Sequence, residues 1–239
     1  MLDPRDRSLL LDSLRPPLGY RLDEAIGTSY TLDLLALLTA PLAFTYFDWE
    51  DDDGQPSADP LALLEAVRRH SERIHLFCQA GAIKLPPAGR PLIAYLEKNV
   101  IEVQSPNSEG IFHPKVWFLR YLPSDETEPI RYRLLCLSRN LTFDRSWDTV
   151  LVLDGELTER KNAFARNHPL GNFVRALPKM AVQPVSKKLM KTIAGFEREV
   201  RRVAFEVPKG FDSSRLCSRG RARTRGARVR GRSGRAGSS

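Results

Sequence analysis

Residues 111–121 read IFHPKVWFLRY, and residues 132–154 read YRLLCLSRNLTFDRSWDTVLVLD. Both runs are rich in β-branched and aromatic side chains. Between them lies an acidic break bounded by Pro123 and Pro129. Such a pattern predicts a strand, a loop and a strand. His113 and Lys115 stand two apart at the head of the first run, and Ser138 and Asn140 stand two apart at the end of the second. Side chains at i and i+2 of a strand share a face. The pattern therefore predicts four polar groups near neighbouring strand ends, converging on one small anion.

Outward from this stretch the chain alternates. Residues 9–14 are mostly apolar and run into Arg15-Pro16-Pro17, where prolines stop a helix. Asp23–Ser29 reads as a strand containing Gly27. Thr31 is placed to cap a helix from about Leu32 to Phe47, kinked or split by Pro41. Asp48–Asp59 is a loop whose cluster Glu50–Asp53 reads as a solvated turn, because its oxygens lack the spacing of a calcium loop. A helix from Pro60 to about Arg73 precedes a strand at Ile74–Ala80. A short helix at Pro91–Lys98 precedes a strand at Val100–Gln104. His70, His75 and Cys78 read as a helix-end His and two strand residues rather than as zinc ligands, since no fourth ligand stands near.

Past the central stretch, the strand from Val150 is expected to end at Asp154-Gly155, and Asn167–Gly171 to be a turn between short helices. Ser186–Phe205 carries the strongest helical signal. Leu189, Ile193, Phe196, Val200 and Val203 recur at helical spacing, with Ser186 as cap and lysines and arginines on the other faces. Those cations read as a solvated face, with a phosphate-tracking face or a dimer seam as the sharper reading. A further strand begins near Phe205. Alternating helices and strands predict an α/β fold, a layered sandwich with a mixed β-sheet flanked by helices.

Composition limits function. The net charge of +8 is misleading, because nine Arg and no acid lie in residues 213–239. Without them 28 basic residues face 29 acidic ones, so the body is near −1 and a basic groove does not follow from the pI. Residues 1–212 are expected to form one domain and 213–239 an Arg/Gly/Ser-rich tail that cannot fold alone. That tail reads either as a nucleic-acid arm or as the out-of-frame product of GC-rich codons, which would make the chain truncated. Three scattered cysteines, no signal-type segment and no apolar run of about 20 residues predict a cytoplasmic chain with free thiols and no membrane contact.

The ordered set His113-Pro114-Lys115, strand, loop, strand, Ser138-Arg139-Asn140, then Leu141-Thr142, resembles one half of the active site of the phospholipase D superfamily. It covers about forty of 239 residues. Lipid-cleaving members carry an Asp five residues after the Lys, where this chain has Arg120. The departure resembles the tyrosyl-DNA phosphodiesterase and nuclease branches. The resemblance implies a phospholipase D-like half and a phosphodiesterase, most simply a nuclease, that needs no metal or cofactor. His113 would be the nucleophile, or the general acid that its partner His plays. Lys115 and Asn140 would hold the non-bridging oxygens, Ser138 would support the phosphate or the His, and Asp148 or Asp144 would orient the His. Nucleic acid would be the substrate. Two half-sites are needed and one is visible, so a homodimer would supply the second, or a missing part of a longer chain would. The alternative is an inactive or truncated domain of the same fold that binds nucleic acid or a protein partner.

Overall fold

The computed structural model describes residues 10–44, 60–86, 91–107, 109–143 and 148–208. The tail, the acidic cluster 50–53, Asp144 and Cys217 lie outside them. Helix α1 (Leu10–Leu14) leads into β1 (Tyr20–Ser29), β2 (Leu32–Asp33), α2 (Leu34–Leu37) and α3 (Thr39–Phe44). Then come α4 (Pro60–Ser71), β3 (Ile74–Gln79), β4 (Ile83–Lys84), α5 (Pro91–Glu97) and β5 (Val100–Val103). The second half holds β6 (Val116–Pro123), β7 (Arg131–Leu137), β8 (Val150–Leu157), α6 (His168–Ala176), α7 (Lys187–Val200) and β9 (Val203–Phe205).

Seven strands form one sheet in the order β5-β3-β1-β6-β7-β8-β9. The pairs β5–β3 and β3–β1 are parallel, and the pairs from β1 through β9 are antiparallel. The sheet is mixed and helices flank it, as the alternation predicts. One face buries Leu22, Leu76, Trp117, Leu119 and Leu135 beneath α1–α3. The other buries Ile26, Phe77, Phe118, Leu134 and Leu153 beneath α6 and α7. Successive strand residues alternate between these two cores, as the two-residue period requires.

Several boundaries differ from expectation for identifiable reasons. Asp33, not Thr31, caps α2: its carboxylate accepts the Leu35 N–H at 2.9 Å. The helix breaks at Leu38, and Pro41 sits inside α3 near its start, where a missing N–H costs little. The strand at Val150 does not stop at Gly155. It runs to Leu157, because Gly155 lets β9 approach: a Cβ there would lie 2.8 Å from the Ala204 carbonyl oxygen. Residues 168–171 are the first turn of α6 instead of a turn between helices. Pro169 starts the helix, and Gly171 accommodates the Arg201 side chain. Ser186 caps α7 as read, accepting the Leu189 N–H at 3.1 Å. Val203, which keeps the helical spacing, belongs to β9.

Candidate active site

The parallel and antiparallel pairings bring the carboxyl ends of β1, β3 and β7 and the amino ends of β6 and β8 to one edge of the sheet. Every candidate residue within the described part of the chain lies along that edge. Pro114 has no N–H and cannot take a ladder position. The strand therefore starts at Val116, and His113 and Lys115 lie just ahead of it. Two groups hold this lead-in. The Leu137 N–H donates to the Lys115 carbonyl at 2.8 Å, and the Phe112 N–H donates to Gln79 Oε1 at 2.7 Å. Thr28 Oγ1 accepts the Val116 N–H at 2.9 Å, replacing a main-chain partner at the end of β1.

His113 is exposed, while Lys115 is only 9% exposed. The Lys115 Nζ stands 3.1 Å from both His113 ring nitrogens and 3.4 Å from the His113 carbonyl oxygen. An ammonium equidistant from two ring nitrogens lies along neither in-plane lone pair. Burial pushes the Lys115 pKa below the ordinary lysine value.

β7 ends at Leu137, so alternation no longer governs Ser138 and Asn140. They do not share a face in the expected manner. Asn140 turns toward the end of β1, where its Oδ1 accepts the Tyr30 N–H at 3.2 Å. The neighbouring Leu141 fixes that turn: its N–H donates to Ser29 Oγ at 3.1 Å and its carbonyl accepts the Asp33 N–H at 2.9 Å. Because a backbone N–H must face an acceptor, the Asn140 amide places its NH2 end away from Tyr30. The Tyr30 ring in turn lies 5.0 Å from the His113 ring, centroid to centroid. Cys78 Sγ donates to the Tyr30 carbonyl at 3.3 Å.

Ser138 turns the other way, toward the start of β8. Its Oγ donates to Asp148 Oδ1 at 3.0 Å and accepts the Thr149 N–H at 2.8 Å. Asp148 also pairs with Arg139 at 3.3 Å. The structure thus joins His113 and Asn140 through Tyr30 and sets Lys115 against His113, and it ties Ser138, Arg139 and Asp148 into a neighbouring cluster. Asp148 thereby bonds to Ser138 and Arg139 at the start of β8.

Tyr30 is the residue that sequence reasoning missed. Its only signal is the polar run Thr28-Ser29-Tyr30-Thr31 that follows Ala25-Ile26-Gly27 at the end of the strand. His75 and Cys78 are placed separately: His75 Nε2 lies 3.0 Å from Glu24 Oε2, and Cys78 faces Tyr30. Arg120 is far from this edge in role as well as in register. It pairs with Asp23 and, at 2.9 Å, with Glu199 of α7, whose Oε2 also accepts the Tyr132 hydroxyl at 2.5 Å.

The molecule is a mixed α/β protein with its polar candidate site at one end of the sheet. No family model and no curated protein matches the chain. Among solved structures, two mutants of yeast tyrosyl-DNA phosphodiesterase 1 are similar over 81% of this chain at 14% identity, with TM-scores of 0.47 and 0.45. The chain spans 37% and 36% of their lengths. Among the described residues no helix is long and apolar enough to cross a membrane.

Proposed function

We propose that the chain is a phospholipase D-like half-site that cleaves a phosphodiester of nucleic acid through a covalent phosphohistidine. The observation that carries this reading is that Tyr30 meets His113 through its ring and Asn140 through its N–H while Lys115 Nζ stands against the His113 ring, three kinds of group that phosphoryl transfer needs. An exposed imidazole supplies a lone pair. A largely buried ammonium supplies charge in a low-dielectric setting, where it acts more strongly than in water. An amide with its oxygen already engaged supplies an N–H donor.

In this reading a His113 ring nitrogen attacks phosphorus and forms a P–N bond as the P–O bond to the leaving group breaks. The leaving oxygen takes a proton from a general acid on the second half-site. Water then attacks phosphorus, giving its proton to the same group on the second half-site, the P–N bond breaks, and both the imidazole and the acid are restored. Splitting one displacement into two lowers each barrier. Lys115 Nζ and Asn140 Nδ2 hold the non-bridging oxygens as their charge grows. Ser138, Arg139 and Asp148 support the phosphate rim. A second copy related by a two-fold axis would supply the acid, as would a further part of a longer chain. Residues 1–212 form the domain in this reading, with 213–239 as an appended tail.

The test is cleavage of labelled single-stranded and duplex DNA in EDTA, with trapping of phospho-enzyme at acid-labile histidine. His113→Ala is expected to lose both product and label while keeping its fold, because the ring is exposed. Undiminished cleavage by that variant would remove the catalytic claim. Binding to DNA without turnover by the unaltered chain favours the reading of a non-catalytic domain instead.

A further inference from the structure

We infer that the outward face of α7 is a docking surface for the phosphate backbone of a nucleic-acid duplex, separate from the His113 site. The His113 site lies at the end of the sheet where β1, β3 and β7 finish and β6 and β8 begin. Helix α7 covers one face of the sheet.

Three features of α7 each oppose folding, and all three lie on one surface. The buried stripe Leu189, Ile193, Phe196 and Val200 fixes the inward direction. At about 100° per residue the opposite direction falls between Lys191 and Arg198, with Lys187 and Lys188 a turn earlier. All four cations are exposed. First, Lys187 and Lys188 stand in the first turn, which holds no acid. Cations there oppose the positive end of the helix dipole. Second, Lys187 and Lys191 are like charges at i and i+4, which repel. Third, Gly195 lies mid-helix, where glycine is the poorest helix former after proline. No packing asks for it: a Cβ at Gly195 would meet nothing within 4 Å. Beside it Ala194 is exposed.

The fold gains nothing from these choices, and an anionic partner reverses the sign of the two charge terms. Phosphates neutralise the lysines and match the dipole, and Gly195 with Ala194 lets a backbone approach the helix closely. The two carboxylates of the helix are otherwise engaged. Glu197 pairs with Arg201 at 2.9 Å, and Glu199 faces Arg120 and Tyr132. Among the described residues no carboxylate pairs with Lys187, Lys188 or Lys191.

Charge is also distributed asymmetrically. Residues 165–202 hold nine Lys and Arg against two Glu, a net +7, whereas the rest of 1–212 holds 19 against 27, a net −8. A polyanion is therefore oriented toward this layer. Lys187 to Arg198 spans about 16 Å along the axis. A duplex carries about one charge per 1.7 Å, so the row faces several phosphates. A lipid surface fits less well, because the apolar stripe is spent on the sheet and no aromatic side chain projects from the cationic face.

The experiment uses the full chain, so that the basic tail is constant throughout. Lysine acetylation is mapped by mass spectrometry with and without a labelled duplex of about 20 bp. The expected result is protection of Lys187, Lys188 and Lys191. Lys84, which is exposed near the candidate active site, reports on that site separately. Protection at Lys84 alone would overturn the α7 surface while leaving the site reading intact. Protection at Lys187, Lys188 and Lys191 alone supports it whatever becomes of His113 chemistry.

The triple variant Lys187→Gln, Lys191→Gln, Arg198→Gln is expected to weaken duplex binding and to lower the slope of log K against log salt by about 2 to 3. Its unfolding midpoint should hold, since the Lys187–Lys191 repulsion is removed along with the Arg198 cation in the last turn. Gly195→Gln should melt higher and bind more weakly. Unchanged binding in both variants would overturn the proposal. So would lysine protection by phosphatidylserine vesicles in place of the duplex, or by raised protein concentration alone, the sign of a second copy on this face.

Discussion

Tyr30 and Asn140 are 110 residues apart in sequence, and the Tyr30 backbone N–H donates to Asn140 Oδ1 at 3.2 Å. The bond fixes which end of the amide faces away from β1. Asn140→Asp keeps an acceptor for Tyr30 but replaces the outward NH2 with an oxygen that repels phosphate. That variant should retain its unfolding midpoint in denaturant and lose turnover by about 10²-fold or more, the scale of one oxyanion donor. Asn140→Ala loses the bond as well and should unfold about 1 kcal/mol more easily. An Asn140→Asp protein as active as the parent would show that the amide donates nothing to the reaction.

The Tyr30 ring, 5.0 Å from the His113 ring, predicts a positioning role. An exposed imidazole with no aromatic neighbour samples several rotamers. Tyr30→Ala should lower kcat by about 10-fold or more while KM changes little, because orientation rather than binding is lost. Tyr30→Phe should behave as the parent, since the ring and the backbone N–H both remain. Equal loss in the two variants would assign the role to the hydroxyl.

Lys115 predicts opposite pH effects on activity and stability. Burial lowers its folded pKa below the unfolded value. Between those two values the unfolded chain binds more protons, so stability rises with pH across that window. Relative to Lys115→Met, the parent should therefore gain stability as alkaline pH is approached. Phosphate binding should fall over the same range, because the proposed contact of Lys115 with phosphate needs the ammonium form. Denaturation and phosphate-analogue binding, followed from neutral pH to the lysine range, check both signs.

The contrast between Lys115 and Tyr30 marks what a sequence can carry. His113 and Lys115 are legible at a strand end because local signals place them there: a proline that delays a strand, and two apolar runs that pair through a short loop; Asn140 lies past the end of β7 and takes its place from the distant Tyr30 N–H. Tyr30 is not legible, because its place at the site depends on β1 lying beside β6, a pairing across about ninety residues with no local mark. The same limit applies to Ser138. Strand alternation assigns Ser138 a face only while the strand lasts, and β7 stops one residue earlier. In α7 the period and the Ser186 cap were readable, yet Val203 fits that period and lies in β9. The helix ends at Val200 because the next residues turn to place β9 beside β8.

The two described cysteines should differ in reactivity. Cys78 is buried between β1 and β5, donating to the Tyr30 carbonyl, whereas Cys136 is exposed. Burial, reinforced by the nearby Glu102 carboxylate, pushes the Cys78 thiol up to about 12. The thiolate is the nucleophile, so Cys78 should resist a thiol reagent at neutral pH until the protein unfolds. Mass spectrometry of the native protein should find Cys136 modified within the time in which Cys78 is untouched. Rapid labelling of Cys78 would mean that the β1–β3 edge beneath the candidate site opens readily.

Arg120 occupies the position where the resembled lipid-cleaving enzymes carry Asp, and Arg120→Asp should not create their chemistry. Its guanidinium stands between Asp23 and Glu199, opposite Glu24 on β1. Replacing it with Asp removes the cation and adds a further carboxylate to a partly buried group. The Arg120 and Glu199 side chains are only 22% and 20% exposed, so solvent screens the repulsion poorly. The loss should be about 3 kcal/mol or more, the scale of breaking a buried pair. Crowded carboxylates have raised pKa values in the folded state. The folded variant then binds more protons than the unfolded chain, and its stability should recover on acidification from neutral pH. Denaturation of parent and variant at neutral and mildly acidic pH measures this, and a variant whose deficit is the same at both pH values would show that lost packing, not charge, is the cause.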